Sequence, residues 1–308
     1  MKKYLLFFLL LLTSCFRVGN ELEPRLNSAV QDRHFKSLPS PFPPLSSQEL
    51  SSGWAHEQQI GLGFAKELDL YQALTCFKRA SFLSPPKDRL LELNYDVFLC
   101  YYLGRKYAEA IYTFETTPLR PTTPTFTPHQ DLSIILYDSY LNLHENDRAN
   151  QILSYIQNTY PSVGQKLSLS KLLLAADIEA LTLEAPNHPD IATLIADYNA
   201  QKKSTKAAQL FNTLLPGAGY LYLGQTQSFI TATLLNGLFI WASCYFFQHG
   251  NTAAGIIFTS LEAGWYFGGI YGAGQEAKFY NERLYERLAT PLMNENRYFP
   301  ILMLNYGF

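Results

Sequence analysis

Side chains that could do chemistry are few in this sequence and widely scattered. The six histidines, His34, His56, His129, His144, His188 and His249, show none of the close spacings that gather metal ligands on one helix or loop. No Gly-x-Ser-x-Gly stretch and no Cys/His arrangement offers a nucleophile with its base. Asp69, Glu92, Asp96 and Glu109 read as solvated helix faces, not as a paired acid and base. The run Leu214-Leu215-Pro216-Gly217-Ala218-Gly219-Tyr220-Leu221-Tyr222-Leu223-Gly224 lacks the Lys-Ser/Thr pair that follows a phosphate-cradling loop, which excludes nucleotide binding there. The expectation is a non-enzyme with no catalytic residue, no metal and no cofactor. Two places remain. Cys15 closes an apolar N-terminal run. Asn236 and Glu262 interrupt long apolar stretches, where an ionisable group is costly and functional by default.

The elements that must position these groups are distributed unevenly. Lys+Arg number 24 and Asp+Glu 26, so no basic surface invites nucleic acid. Charged residues make up only 16% of the chain and aromatics 15%, which suits either a large soluble core or partial embedding in lipid. At the N-terminus Lys2 and Lys3 precede the apolar run Tyr4 to Leu12, which is too short to cross about 30 Å of hydrocarbon. A signal peptide fits better. The sequence Leu12-Thr13-Ser14-Cys15 resembles the bacterial lipobox, and the resemblance implies cleavage before Cys15 and lipidation of its thiol. Residues 1–14 are then the signal peptide and 15–53 a lipidated tether. The Pro/Ser-rich stretch from Leu38 to Ser47 should be extended, not helical. Cys76, Cys100 and Cys244 remain, an odd number that excludes a complete disulfide framework. A Cys76–Cys100 bridge stays open, and Cys244 reads as a buried small hydrophobe.

From Trp54 the apolar residues adopt helical spacing. Ile60, Gly61 and Phe64 fall on one face, and Ala73, Phe77 and Ala80 on the face of a second helix that Pro85 ends. This pattern resembles the tetratricopeptide repeat, without the family's Trp, whose place Glu57 takes. Tyr101, Ala110, Ile111 and Phe114 repeat it, with Phe98 where a small residue is usual. Leu136, Tyr137, Tyr140, Ala149, Leu153, Ile156 and Pro161 form a third unit. Ala73, Ala110 and Ala149 are 37 and 39 residues apart, against about 34 in the ideal repeat. The prolines between Thr116 and His129 account for one lengthened connection. A helix over Gln165 to Leu183 should cap the stack, so that 54–200 forms the repeat domain. The resemblance implies a surface that binds peptide segments or protein.

After Lys206 the composition changes. Phe229 to Phe247 carries no charge, and Thr252 to Tyr271 carries only Glu262. Each is long enough to span a bilayer, and His249-Gly250-Asn251 would turn them into a hairpin. Ser260, Gly264, Gly268 and Gly272 recur every four residues and form a stripe without bulk, as in closely packed membrane helices. The stripe should meet Thr233 and Gly237 or mediate self-association. Asn236 and Glu262 lie within about 3 Å of the same depth, so Asn236 should hydrogen-bond a neutral Glu262. Pro216, Gly217, Gly219, Tyr222 and Gly224, ahead of two apolar helices, resemble the Pro-Gly-x-Gly-x-x-Tyr small membrane domains, and also bacterial proteins of unknown function that join repeats to such a hairpin. That resemblance covers about residues 205–283, includes Gln275 to Asn281, and implies a membrane protein but no activity. Ala207 to Leu215 is amphipathic and suits the membrane interface. Lys202, Lys203 and Lys206 on one flank and Lys278, Arg283 and Arg287 on the other oppose the periplasmic flanks that lipidation requires.

The fold class expected is all-α: a tetratricopeptide-like domain, a membrane hairpin domain over 205–290, and a tail over 291–308. Leu302, Leu304, Tyr306 and Phe308 alternate, which suggests an edge strand or an extended tail. The function expected is an envelope lipoprotein that scaffolds a protein partner, with its repeats periplasmic and membrane lipid as its second partner. The alternative is a small oligomeric membrane unit, a channel or an assembly assistant, capped by the repeats.

Overall fold

The computed structural model describes residues 18, 19, 21–28 and 32–308. Helices dominate, and no β-strand occurs among the described residues. The chain divides into two compact units. The N-terminal unit comprises Asn27–Leu173 together with Thr290–Phe308. The C-terminal unit gathers Leu174–Ala289 with the described residues before 27. Residues 174–200, expected with the repeats, therefore cluster with the C-terminal unit, and the tail clusters with the N-terminal one.

In the N-terminal unit the helices are α1 (Asp32–Ser37), α2 (Gly53–Lys66), α3 (Leu70–Phe82), α4 (Lys87–Leu103), α5 (Tyr107–Thr116), α6 (His129–Asn142), α7 (Asn146–Thr159) and α8 (Pro161–Leu174). Three pairs, α2/α3, α4/α5 and α6/α7, close through one turn geometry. Leu68, Arg105 and His144 each sit at positive φ, at 63°, 56° and 59°. The next amide returns to the helix: Asp69 N donates to Phe64 O, Lys106 N to Tyr101 O and Glu145 N to Tyr140 O. This left-handed cap satisfies carbonyls that a helix end otherwise leaves open. Each cap stands five residues before Ala73, Ala110 or Ala149, so the turns share the period of the alanines. Those alanines are fully buried, as are Phe77, Phe98, Tyr95 and Tyr137 in the core. Gly61 faces the Phe77 ring, where an added Cβ would stand 2.8 Å from a ring carbon. Ile60 departs from the expected buried face and is 51% exposed, because it lies one residue round the helix from Gly61.

Other expectations change in place. The single helix expected over Gln165 to Leu183 is broken. Ala176 adopts φ 49°, and Asp177 caps a new helix by accepting from Ala180 N. The proline-rich stretch is docked. Phe42 joins Tyr95 and Phe126 with ring centroids 5.7 to 6.1 Å apart. Residues after Arg297 form a short 3₁₀ turn (Pro300–Met303) and then an extended tail, not a strand. Leu302, Leu304 and Phe308 are buried.

In the C-terminal unit follow α9 (Ile178–Glu184), α10 (Pro189–Gln201), α11 (Thr205–Leu214), α12 (Ala218–Tyr222), α13 (Thr226–Gln248) and α14 (Thr252–Glu295). Among the described residues α13 alone is long and apolar enough to cross a membrane, with mean hydropathy 1.5 and 17% of its apolar window buried. Ile230, Leu234, Leu238 and Trp241 lie exposed along it. In α14 the glycines, Ser260 and Glu262 dilute the apolar character that two spans would require.

The shared turn yields a test. A left-handed residue other than glycine costs about 1–2 kcal/mol, partly offset by the extra chain entropy glycine loses on folding. Arg105 and His144 are exposed and lose little packing when replaced. Thermal unfolding should show Arg105→Gly and His144→Gly each stabilising by up to about 1 kcal/mol, and Arg105→Val destabilising by a similar amount.

Candidate functional site

The residues singled out in the C-terminal unit build one joint and one cleft. The joint begins at Asn212, which is 2% exposed and accepts the Gly217 N–H at 2.9 Å. Gly217 has φ +96°, a conformation that excludes most side chains. Thr233 Oγ1 donates to Pro216 O at 2.9 Å and ties the turn to α13. Gly219 is packed so closely that an added Cβ would collide with Ala208 O and stand 2.7 Å from Ala273 Cβ. Tyr222 packs on Phe211, accepts the Ser204 N–H at 3.2 Å, and receives the Lys203 ammonium over its ring. Gly224, at φ +80°, repeats the left-handed cap, with Gln225 N donating to Tyr220 O.

Sequence reasoning gave no role to the two asparagines that hold this joint, although Asn281 closes the stretch that carried the resemblance. Asn281 accepts from Lys203 N and donates to Lys203 O, both at 2.8 Å, clamping the segment before α11 onto α14. Asn212 is the polar exception on the buried side of an amphipathic helix, and that exception was its one visible signal.

Pro216, Asn236, Gly264, Gly268 and Gly272 line a cleft of about 710 Å³, with Tyr220 on its wall. Phe258 packs on Phe246 and Phe239 near the turn, at 5.2 and 6.4 Å between centroids. Further along, a Cβ added at Gly237, Gly264 or Gly268 would meet nothing within 4 Å. The expected contact between the glycine stripe and Gly237 is therefore absent. The stripe is open, apart from Gly272, which faces the Tyr220 hydroxyl. Ser260 is exposed and bonds back to Ile256 O.

The expected Asn236–Glu262 hydrogen bond is also absent. Asn236 Nδ2 donates to Ala232 O, while Asn236 Oδ1 and Glu262 Oε2 have no partner among the described residues. Glu262 lies about 200° around the helix from Gly264 and so points away from the face that borders the cleft. Cys244 is exposed, not buried, and Cys76 and Cys100 are buried free thiols without a bridge. Cys15 lies outside the described residues.

The N-terminal unit holds a second arrangement that sequence reasoning did not reach. Asp131, near the start of α6, is fully buried. Its carboxylate accepts Asn305 N at 2.8 Å, Tyr306 N at 2.8 Å and Asn305 Nδ2 at 3.1 Å. Burial raises the carboxyl to about 6, against the opposing pull of these bonds. At neutral pH it therefore meets its donors as an anion. Beyond it, Gly307 N donates to Pro39 O, and Phe308 stacks on Phe77 with centroids 6.3 Å apart. Asp131 and its partners are 174 and 175 residues apart, so no local spacing announced the pair.

Comparison with protein-family models, curated proteins and solved structures finds no match to this chain.

The joint predicts a sharp response to bulk. Gly219→Val forces three atoms against Ala208 and Ala273 and should destabilise by about 1–3 kcal/mol, whereas Gly264→Ala should change stability by less than about 0.5 kcal/mol. Thermal unfolding in detergent checks both.

Proposed function

We propose that the protein is a membrane-anchored envelope lipoprotein that scaffolds a protein partner, with tetratricopeptide-like repeats gripping an extended peptide. The observation that carries this reading is the carboxylate of Asp131 holding the main chain of Asn305 and Tyr306. Main-chain capture by a side chain suits extended ligands of varied sequence, because it reads backbone donors that nearly every peptide has. The tail passes from Asp131 on α6 to Phe308, which lines a cavity with Ala65 and Lys66 of α2. The first helices of two helix pairs thus share one extended segment.

The membrane part of the proposal rests on the exposed apolar row of α13. A row this long is unfavourable in water and favourable in hydrocarbon. Leu210, Phe211 and Leu214 of α11 add exposed apolar surface, as an interfacial helix requires. The alternative of a small oligomeric membrane unit draws on one observation, the open backbone at Gly264 and Gly268, where a second helix could seat.

Two experiments separate these parts. A chain ending at Arg297 and shown to be folded by circular dichroism should bind a synthetic peptide of residues 298–308, and Asp131→Asn should weaken that binding at least about 10-fold. A folded truncated chain that ignores the peptide contradicts the scaffold reading. A Cys15→Ser chain should still float with phospholipid vesicles, and Leu234→Glu with Leu238→Glu should abolish flotation. A wild-type chain monodisperse without detergent contradicts membrane residence.

A further inference from the structure

A second cavity, in the N-terminal unit, has chemistry the peptide seat does not use. It measures about 420 Å³ and is lined by Gln58 of α2, by Arg89, Glu92 and Asp96 of α4, and by Phe42 and Phe308. Arg89, Glu92 and Asp96 stand at i, i+3 and i+7 and so share one helix face. Sequence reading treated Glu92 and Asp96 as solvated. Instead they are 7% and 2% exposed.

The guanidinium of Arg89 is fully committed. It makes five hydrogen bonds: two to Glu49 at 2.7 and 3.1 Å, one to Glu92 at 2.7 Å, and one each to Pro43 O and Pro44 O at 3.0 and 3.3 Å. That accounts for every N–H an arginine has. Glu49, bonded to Arg89 and Ser46, is held down at about 2. Gln58 directs one amide N–H toward Glu92. Two acceptors are left over: Asp96 Oδ2 and Gln58 Oε1 are buried without a hydrogen-bond partner, and Gln58 is 3% exposed. Burial, with Glu92 adding to it, pushes the Asp96 carboxyl well above the usual carboxylate range. Buried unpaired acceptors are among the least favourable groups a fold can hold, and they mark a place where a donor belongs.

We infer that this cavity is a binding site for a primary alkylammonium group, with Asp96, Gln58 and Glu92 receiving its N–H donors. An ammonium has three donors and no acceptor, which complements the unpaired oxygens of Asp96 and Gln58. The apolar sides supplied by Phe42, Leu45, Leu62 and Phe308 suit a short methylene stem. The same chemistry has two sources, a free amine or a lysine side chain of a bound peptide. Lys66 also lines the cavity and is exposed, so the chain carries one competing ammonium at the site.

The test uses the full chain in detergent micelles, as wild type and as Lys66→Ala, so that the chain's own lysine cannot mask the site. Isothermal titration with n-butylamine, N-acetyl-lysine amide and a lysine-centred decapeptide should show saturable binding of at least one. Neutral n-butanol and the norleucine decapeptide should bind at least ten-fold more weakly. Asp96→Asn, nearly isosteric, should weaken the amine at least ten-fold, and Gln58→Leu should weaken it while thermal unfolding stays intact. Equal affinity for butylamine and peptide assigns the site to free amines. A preference of ten-fold or more for the decapeptide assigns it to peptide lysine. No amine binding in either background, or amine binding indifferent to both substitutions, overturns the inference and leaves a site filled by water alone.

Discussion

A buried carboxylate is costly without donors, and Asp131 finds its donors in the segment of Asn305 and Tyr306. That requirement shapes much of the N-terminal unit. It fixes where Asn305 and Tyr306 stop, which brings Phe308 onto Phe77 and Gly307 onto Pro39. It also makes a non-helical segment permissible inside a helical core, because extended backbone is tolerated only where its amides and carbonyls are satisfied. The proline-rich stretch obeys the same rule through Arg89, which takes the carbonyls of Pro43 and Pro44. Two segments that look like free appendages are thereby held by single charged side chains with many bonds each.

The C-terminal unit solves a different problem. Around the apolar α13, specific contacts come from small residues and isolated amides. Asn212 and Asn281 each satisfy main-chain groups where the chain leaves helical geometry, at Gly217 and at Lys203. The glycine stripe is used differently. α13 and α14 approach closely near their turn, where Phe247 lies against Gly255. Beyond it Gly264 and Gly268 form the smooth side of a cleft, and Asn236 brings a polar atom to the same space. A row of glycines at four-residue spacing specifies a face without bulk. It does not specify what fills that face.

The legible parts of the fold were those governed by local periodicity. Ala73, Ala110 and Ala149 announced their burial through repeat and spacing, and the positive-φ turns five residues before each of them follow the same period. Gly217 and Gly224 were legible because only glycine adopts their backbone cheaply. Long-range polar pairs were not legible. Asp131 reads as an ordinary acidic residue in a first helical turn, and Asp96 as part of a solvated face, because burial is decided by segments far away in sequence. The expected Asn236–Glu262 pair failed for a related reason: equal depth along two helices says nothing about rotation around them.

The docked tail is the point on which this account turns, and amide hydrogen exchange at Asn305 and Tyr306 measures it directly. If Asp131 holds them, both amides exchange at least about 100-fold more slowly than in an unstructured peptide, and Asp131→Ala returns them to the unstructured rate. Exchange at the unstructured rate in the unaltered chain would contradict the account, since Asp131 would then hold no main chain.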